Sequence, residues 1–414
     1  LRHGHPLLAS DAWTRLLVDL GFEGVTAVPG PELQGGGWVF QALLVAQAPE
    51  RVHGELATNA PPAAGVWLVL ADGDGVGQQF VQRAEAAGDT CVVAQLGSTA
   101  PDNFAEPPAA AEDFDRILAA VERSHLPLRG VVHCWNVDAP LNAALSGATI
   151  ERIGRVECGS VLLLVQALLA RSLDGPLWVI TRGAHAFGDS APSMAQAPAW
   201  GFGRVVALEH PEMWGGLIDL DPDGSSDSAA EQLWSAVHAG DGEDQVAVRG
   251  GMRYGARLTR ARVDDAERVA LRPEGSYLVT GGFGGLGLRA ARWLVANGAR
   301  HVVLASRRQL PDRERWSSLA VGSELADVTT AIVEMEQAGA MVVPVGLDVT
   351  NEAQLSALTR RFGVDLPPLR GILHLATAYG IENIRDMSLA SLETMLRPKV
   401  AGTLLLEQAT RGFE

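Results

Sequence analysis

One short sequence occurs twice in this chain, and the repetition limits its architecture more than any other feature. Pro127-Leu128-Arg129-Gly130-Val131-Val132-His133 returns as Pro368-Leu369-Arg370-Gly371-Ile372-Leu373-His374. Upstream of each copy an apolar, strand-like run ends in a glycine-rich turn. Gly65 to Leu70 leads into Ala71-Asp72-Gly73-Asp74-Gly75-Val76-Gly77, and Ser276 to Val279 leads into Thr280-Gly281-Gly282-Phe283-Gly284-Gly285-Leu286-Gly287. Helical patterns follow, Gln78 to Ala87 and Leu288 to Asn297, each stopped by a glycine. A second strand comes next, Thr90 to Gln95 and His301 to Ala305. Strand, glycine turn, helix and strand in two ordered copies predict an α/β protein of two tandem Rossmann-like units with parallel sheets. The copies drift apart along the chain, which puts an insertion at roughly Gln309 to Gly339 in the second. The seam between them falls around Arg260 to Pro273.

The first unit continues through a strand at Leu177 to Ile180, a helix at Trp200 to Glu209 and a strand at Gly216 to Leu220. Asp221 to Ser228 reads as a loop, and Gln245 to Arg249 opens a last strand pair. The second unit stops soon after the helix containing Lys399 and reads as incomplete. Leu1-Arg2-His3 lacks an initiator methionine, so the chain reads as a piece of a longer protein. A net charge of −16 argues against nucleic acid or an anionic membrane as partner. No apolar run approaches the roughly 20 residues of a bilayer span, and no leader opens the chain. Cys91, Cys134 and Cys158 follow no metal-ligand spacing and read as reduced core residues of a cytoplasmic protein. His3 and His5 read as a solvated terminus, so no metal is expected.

The second turn carries the chemistry. Glycines permit a tight strand-to-helix turn and let backbone approach a pyrophosphate at the helix N-terminus. The next strand ends in Ser306-Arg307-Arg308, a hydroxyl and two cations, where an NAD site would place a carboxylate. That favours the 2′-phosphate of NADP(H). Asp348 and Val349 end another strand and suit the adenine edge, while Ala376 and Thr377, just past His374, are small enough to lie against the nicotinamide ribose. In the first copy Asp72 and Asp74 sit in the turn, where their charge repels a pyrophosphate, and no cation follows Gln95. The first unit therefore reads as a scaffold. Lys399 is the only lysine among 33 cationic side chains, so it marks a place where a compact ammonium is needed rather than a guanidinium fork.

These motifs, together with Arg397-Pro398-Lys399-Val400-Ala401-Gly402, resemble the catalytic subdomain of polyketide synthase ketoreductases, a branch of the short-chain dehydrogenase/reductases. Gln196 to Arg204 and Ala207 to Glu212 resemble the structural subdomain of the same enzymes. Residues 1–49 resemble the tail of a carbon-methyltransferase domain plus a linker: a helix, then Gly21 to Val25, then a strand near Ala42 to Ala46. The implied domains are 1–49, a structural subdomain at 50–262 and a truncated catalytic subdomain at 263–414. The resemblance implies NADPH-dependent reduction of a β-ketoacyl group, carried by phosphopantetheine on an acyl carrier protein domain, beside neighbouring synthase domains that include a methyltransferase. It casts Lys399 as the catalytic lysine that orients the nicotinamide ribose and favours ionisation of a tyrosine. It assigns Thr280 to Gly287, Ser306 to Arg308, Asp348, Val349, Ala376 and Thr377 to the cofactor. The family's serine and tyrosine are expected beyond Glu414, and Tyr379 is not that tyrosine, so these 414 residues alone are expected to reduce no ketone. Tyr379-Gly380-Ile381 replaces a Leu-Asp-Asp motif that marks one stereochemical class. The rival readings are a pseudo-reductase that braces neighbouring domains, and a contribution to the methyltransferase.

Overall fold

The computed structural model describes residues 10–19, 21–28, 43–47, 64–97, 103–139, 152–188, 191–260 and 270–413. Contacts divide the chain into two compact units, Leu1–Ala63 and Ala64–Glu414. The small unit holds helix α1 (Ser10–Asp19) and strands β1 (Glu23–Val28) and β2 (Leu43–Gln47). The two strands pair antiparallel, with Thr26 opposite Val45.

The first half of the large unit is a seven-stranded sheet in the order β4-β3-β5-β6-β7-β8-β9. Its strands are β3 (Val66–Ala71), β4 (Thr90–Gln95), β5 (Leu128–His133), β6 (Leu177–Arg182), β7 (Trp214–Leu220), β8 (Gln245–Arg249) and β9 (Met252–Gly255). All neighbours run parallel except β8 and β9. Every residue of β3 is buried, as expected of a central parallel strand covered on both faces. Helices α2 (Val76–Ala86), α3 (Asp115–Arg123), α4 (Ser160–Arg171), α5 (Ala197–Glu209) and α6 (Ser226–Val237) supply that cover. The acidic stretch expected as a loop to Ser228 ends sooner, because the Ser225 hydroxyl accepts the Ser228 N–H and caps α6.

The second half is a four-stranded parallel sheet, β12-β11-β10-β13. Its strands are β10 (Ser276–Thr280), β11 (His301–Ser306), β12 (Met341–Gly346) and β13 (Leu369–His374), with helices α7 (Gly285–Ala296), α8 (Glu324–Gln337), α9 (Glu352–Thr359) and α10 (Leu389–Thr410). Thr280 lies opposite His374 just as Leu70 lies opposite His133, so the two halves share one register. The insertion is larger than a loop: it supplies α8 and leads into β12, where the first half has a single bridge between Leu96 and Phe104.

Two expectations need correction or fall outside the described residues. The helical stretch Arg152–Arg171 is long and apolar enough to cross a membrane, although no unbroken apolar run is that long; 67% of its apolar window is buried inside the protein. Leu162, Leu164 and Leu168 are wholly enclosed, which makes it the core helix of the first half. Residues 261–269 of the seam, and His3 and His5, lie outside the described residues.

The halves also share a core. Ile384 and Leu392, from the second half, are buried in the same cluster as Leu162, Val165 and Phe202 of the first.

Candidate functional site

β10 ends at Thr280, and the chain turns at once into α7. Gly281 adopts φ +65°, and a Cβ there would stand 2.5 Å from the Leu375 carbonyl oxygen. Only glycine meets both conditions. Gly287 packs the first turn of α7 onto that bend: a Cβ would lie 2.3 Å from the Gly281 oxygen. No side chain caps α7, so its exposed first turn, Gly285 and Leu286, presents backbone N–H groups to an anion.

A cleft of about 580 Å³ opens beside this turn. Gly281 and Gly284 line it, with Ser306, Arg307 and Arg308 at the end of β11. Asp348, Val349, Ala376 and Thr377 line it as well. Nine of the residues assigned to the cofactor from sequence therefore meet around one cavity, drawn from four separate strand ends.

The remaining assignments resolve differently. Thr280 and Gly282 are buried beneath the turn. Phe283 does not face the cleft; it is 4% exposed and packs with Leu288 and Leu304 in the core. Lys399 is exposed on α10 and is not among the residues lining the cleft. Arg308 is held by an ion pair with Glu324, which leaves the exposed Arg307 as the more available cation. Asp348 is not a helix cap, since Asn351 caps α9. Its carboxylate accepts the Thr350 N–H at 2.9 Å and hydroxyl at 2.7 Å. Burial pushes its pKa up, but the Thr350 bonds and the charges of Arg307 and Arg397 outweigh that and hold it below the usual carboxylate range.

His374 joins the parts. The Pro398 carbonyl can only accept, so Nε2 carries the proton toward it at 2.9 Å. Nδ1 then accepts from the Thr280 hydroxyl at 2.7 Å. That hydroxyl oxygen in turn takes the Leu375 N–H at 3.1 Å. One imidazole thus ties the glycine turn to the helix segment next to Lys399. Burial holds its pKa down; the Pro398 bond opposes this and the Lys399 charge assists it. His374 is neutral at pH 7. Sequence reasoning also missed Arg397 and Thr394, which line the cleft; their three-residue spacing on one helix face was the available signal.

The corresponding turn in the first half is filled by its own side chain. Asp72, 1% exposed, accepts the Gly77 N–H at 2.6 Å and the Val76 N–H at 3.0 Å. These are the first-turn donors that the second half leaves open. Asp138 takes the Gly73 N–H at 2.9 Å, and Arg182 pairs with Asp74 at 3.3 Å. The carboxylates do more than repel a phosphate, because Asp72 occupies its place. Replacing Asp72 by alanine is expected to cost about 2 kcal/mol in denaturant unfolding, the loss of a cap with buried donors left bare. The variant should gain no nucleotide binding, since Asp74 and Asp138 keep the turn acidic and Arg182 is already paired with Asp74.

A family model described as the Rossmann fold domain of polyketide synthase extender module SpnB matches residues 47–258, 212 of the 414. A second, described as the KR domain, matches residues 275–414. The chain belongs to the polyketide synthase ketoreductases. Polyketide synthase GfsA of Streptomyces halstedii is 41% identical over 244 residues, 58% of this chain and 3% of that protein. 5-Methyl-1-naphthoate synthase of Streptomyces sahachiroi is 38% identical over 236 residues, 56% of this chain and 13% of that protein. The ketoreductase thus spans a small fraction of these curated relatives. A solved structure described as an A-type ketoreductase from a modular polyketide synthase superposes with a TM-score of 0.65 at 31% identity, covering 84% of this chain and 69% of that one.

Proposed function

We propose that this ketoreductase serves the NADPH-dependent reduction of a β-ketoacyl group, carried by phosphopantetheine on an acyl carrier protein, to the β-hydroxyacyl group. The observation that carries the reading is the pairing of an uncapped, glycine-cradled helix N-terminus with the exposed Arg307 guanidinium across one cleft. The cradle fits a pyrophosphate because glycine at 281 and 287, where any Cβ would strike backbone, lets the turn fold tightly enough to bring the open N–H groups of α7 to the cleft. Bound there, the nicotinamide would supply the hydride.

The chain's own residues bind and orient. The first-turn N–H groups of α7 would hold the pyrophosphate, Arg307 the 2′-phosphate, and the backbone of Ala376 and Thr377 would wall the nicotinamide. Lys399, one residue after the Pro398 carbonyl that His374 grips, is assigned to the nicotinamide ribose and to lowering the pKa of a proton-donating phenol. None of the chain's three tyrosines lines the cleft. Tyr277 is buried, with its hydroxyl oxygen accepting the Arg272 N–H, and Tyr379 is 86% exposed on a loop. None of the three is assigned as the proton donor, and the 414 residues alone are expected to bind cofactor without turning it over.

A bracing role without cofactor is disfavoured by the contrast between the halves, since the first shows what a closed turn looks like and the second keeps its donors open. Residues 1–49 are read as a methyltransferase tail on the sequence pattern of a helix, Gly21 to Val25 and a strand near Ala42 to Ala46. Neither family match reaches residues 1–46.

Calorimetry on the chain tests the reading. NADPH should bind about 10- to 100-fold more tightly than NADH, the worth of one or two charge-assisted hydrogen bonds to the extra phosphate. Arg307→Ala should bring that ratio down toward unity while changing NADH affinity little. Equal affinity for the two nucleotides in the unaltered chain would remove the proposal.

A further inference from the structure

The first half has lost its own cofactor site, yet two of its side chains reach the loop that walls the cleft of the second. This loop joins β13 to α10, so it begins at Leu375 and Ala376 on the cleft and ends at the helix carrying Arg397 and Lys399. Near its middle, Asn383 closes a turn by accepting the Met387 N–H at 2.9 Å. The Gln166 side-chain amide, on α4, donates to the Ile384 carbonyl at 2.7 Å and to the Met387 carbonyl at 2.8 Å. The Glu209 carboxylate, at the end of α5, accepts the Ile384 N–H at 2.7 Å. Ile384 is thus gripped at both backbone polar groups, and its side chain is fully buried in the core of the first half. Beyond the turn, Arg155 pairs with Glu393 at 2.5 Å in the second turn of α10.

We propose that Gln166 and Glu209 are positioning residues: they hold the loop from Leu375 to Ser388 so that its first residues and the start of α10 form the nicotinamide side of the cleft. The inference rests on the cofactor reading above. The physical case is that the segment between cleft and turn has little of its own to hold it. Tyr379 and Ile381 are 86% and 84% exposed, so beyond an exposed hydrogen bond from the Ser391 hydroxyl to Glu382 its placement is set by the anchors at either end. One anchor is Thr280 beneath Leu375, and the other is the grip on Ile384. Releasing the second disturbs the adenosine side less, because Arg307, Asp348 and the glycine turn hang on β10, β11 and the end of β12, although the Arg397 charge of α10 reaches Asp348.

Two ligands separate the sides of the cleft: NADPH, which fills it, and adenosine 2′,5′-bisphosphate, which lacks the nicotinamide half. Gln166→Met keeps the shape and removes the donors. It should weaken NADPH about 5- to 10-fold, change the bisphosphate less than 2-fold, and speed amide exchange in residues 378–388 more than elsewhere in the chain. Glu209→Ala should act in the same direction, and Glu209→Gln, which keeps an acceptor, should restore affinity to within 2-fold of the unaltered chain. Equal weakening of both ligands, or faster exchange with NADPH affinity unchanged, would show that the grip is only structural and overturn the proposal. Unchanged exchange in both removal variants would overturn it as well. If the unaltered chain binds neither ligand, the cofactor reading itself has failed, and this inference falls with it.

Discussion

Gly287→Ala is expected to abolish NADPH binding, weakening it at least about 100-fold, and to destabilise the second half by about 3 kcal/mol. The reason is local and steric. The added Cβ would stand 2.3 Å from the Gly281 oxygen, 2.8 Å from the Gly282 Cα and 3.0 Å from the Gly281 carbonyl carbon. All three are backbone atoms of the turn itself, so no side chain can swing aside. Relief requires α7 to back away from β10, which opens the cradle and strips contacts of Leu288 and Ala291 from the core. Overpacking of that kind costs about 1–3 kcal/mol or more. Gly285→Ala is the control: nothing lies within 4 Å of its Cβ position, and alanine is the better helix former. That variant should keep its stability to within about 0.5 kcal/mol. Denaturant unfolding and calorimetry on both variants decide the matter. A Gly287→Ala chain that bound NADPH within tenfold of the unaltered one would mean the nucleotide does not sit in this turn.

How much of this was legible beforehand depends on whether a feature is local in sequence. The glycine turn, Ser306-Arg307 and the strand ends at Asp348 and Ala376 were readable because short parallel strands and their C-terminal turns have fixed periodicity and chemistry. The sheet then brings those ends together whatever the intervening lengths. The repeat placed the His133 and His374 strands at the same point of each unit, and the structure adds their shared register, Thr280 with His374 and Leu70 with His133.

What the sequence hid was long-range partnering. Asp72 looked like a repulsive charge, because nothing in its own neighbourhood says that its carboxylate folds back onto the Val76 and Gly77 N–H groups. Arg308 looked equivalent to Arg307 until the inserted helix α8 brought Glu324 to it. Phe283 sits inside the motif yet faces the core, since a single position in a tight turn can point either way. The grip of Gln166 and Glu209 on Ile384 spans 218 and 175 residues. No periodicity or spacing encodes such a contact.

The duplicated histidines yield the other large expected effect, a loss of stability in acid. The Ser160 hydroxyl donates to the Val156 carbonyl, so its oxygen accepts from His133 Nε2 at 2.7 Å. That fixes the proton on Nε2 and leaves Nδ1 buried without a partner. A second proton would have to go onto Nδ1, in a ring that is 0% exposed, and burial accordingly lowers the His133 pKa to about 4. The unfolded chain titrates this ring near 6.5, so between those values the unfolded state binds the extra proton and the folded state does not. Stability is therefore complete above about pH 6.5 and falls as the pH drops toward 4, by about 3 kcal/mol over the full interval. The half-buried His374, also held below its usual range by burial, adds in the same direction. Carboxylates begin to titrate at the lower end, so the comparison that isolates the ring is His133→Gln, whose amide can still donate to Ser160. Unfolding free energy measured from pH 7 to pH 4.5 should decline distinctly less steeply in His133→Gln than in the unaltered chain. Parallel declines would mean that the imidazole takes up its proton in the folded state, and that the core around β5 is wetter than its packing indicates.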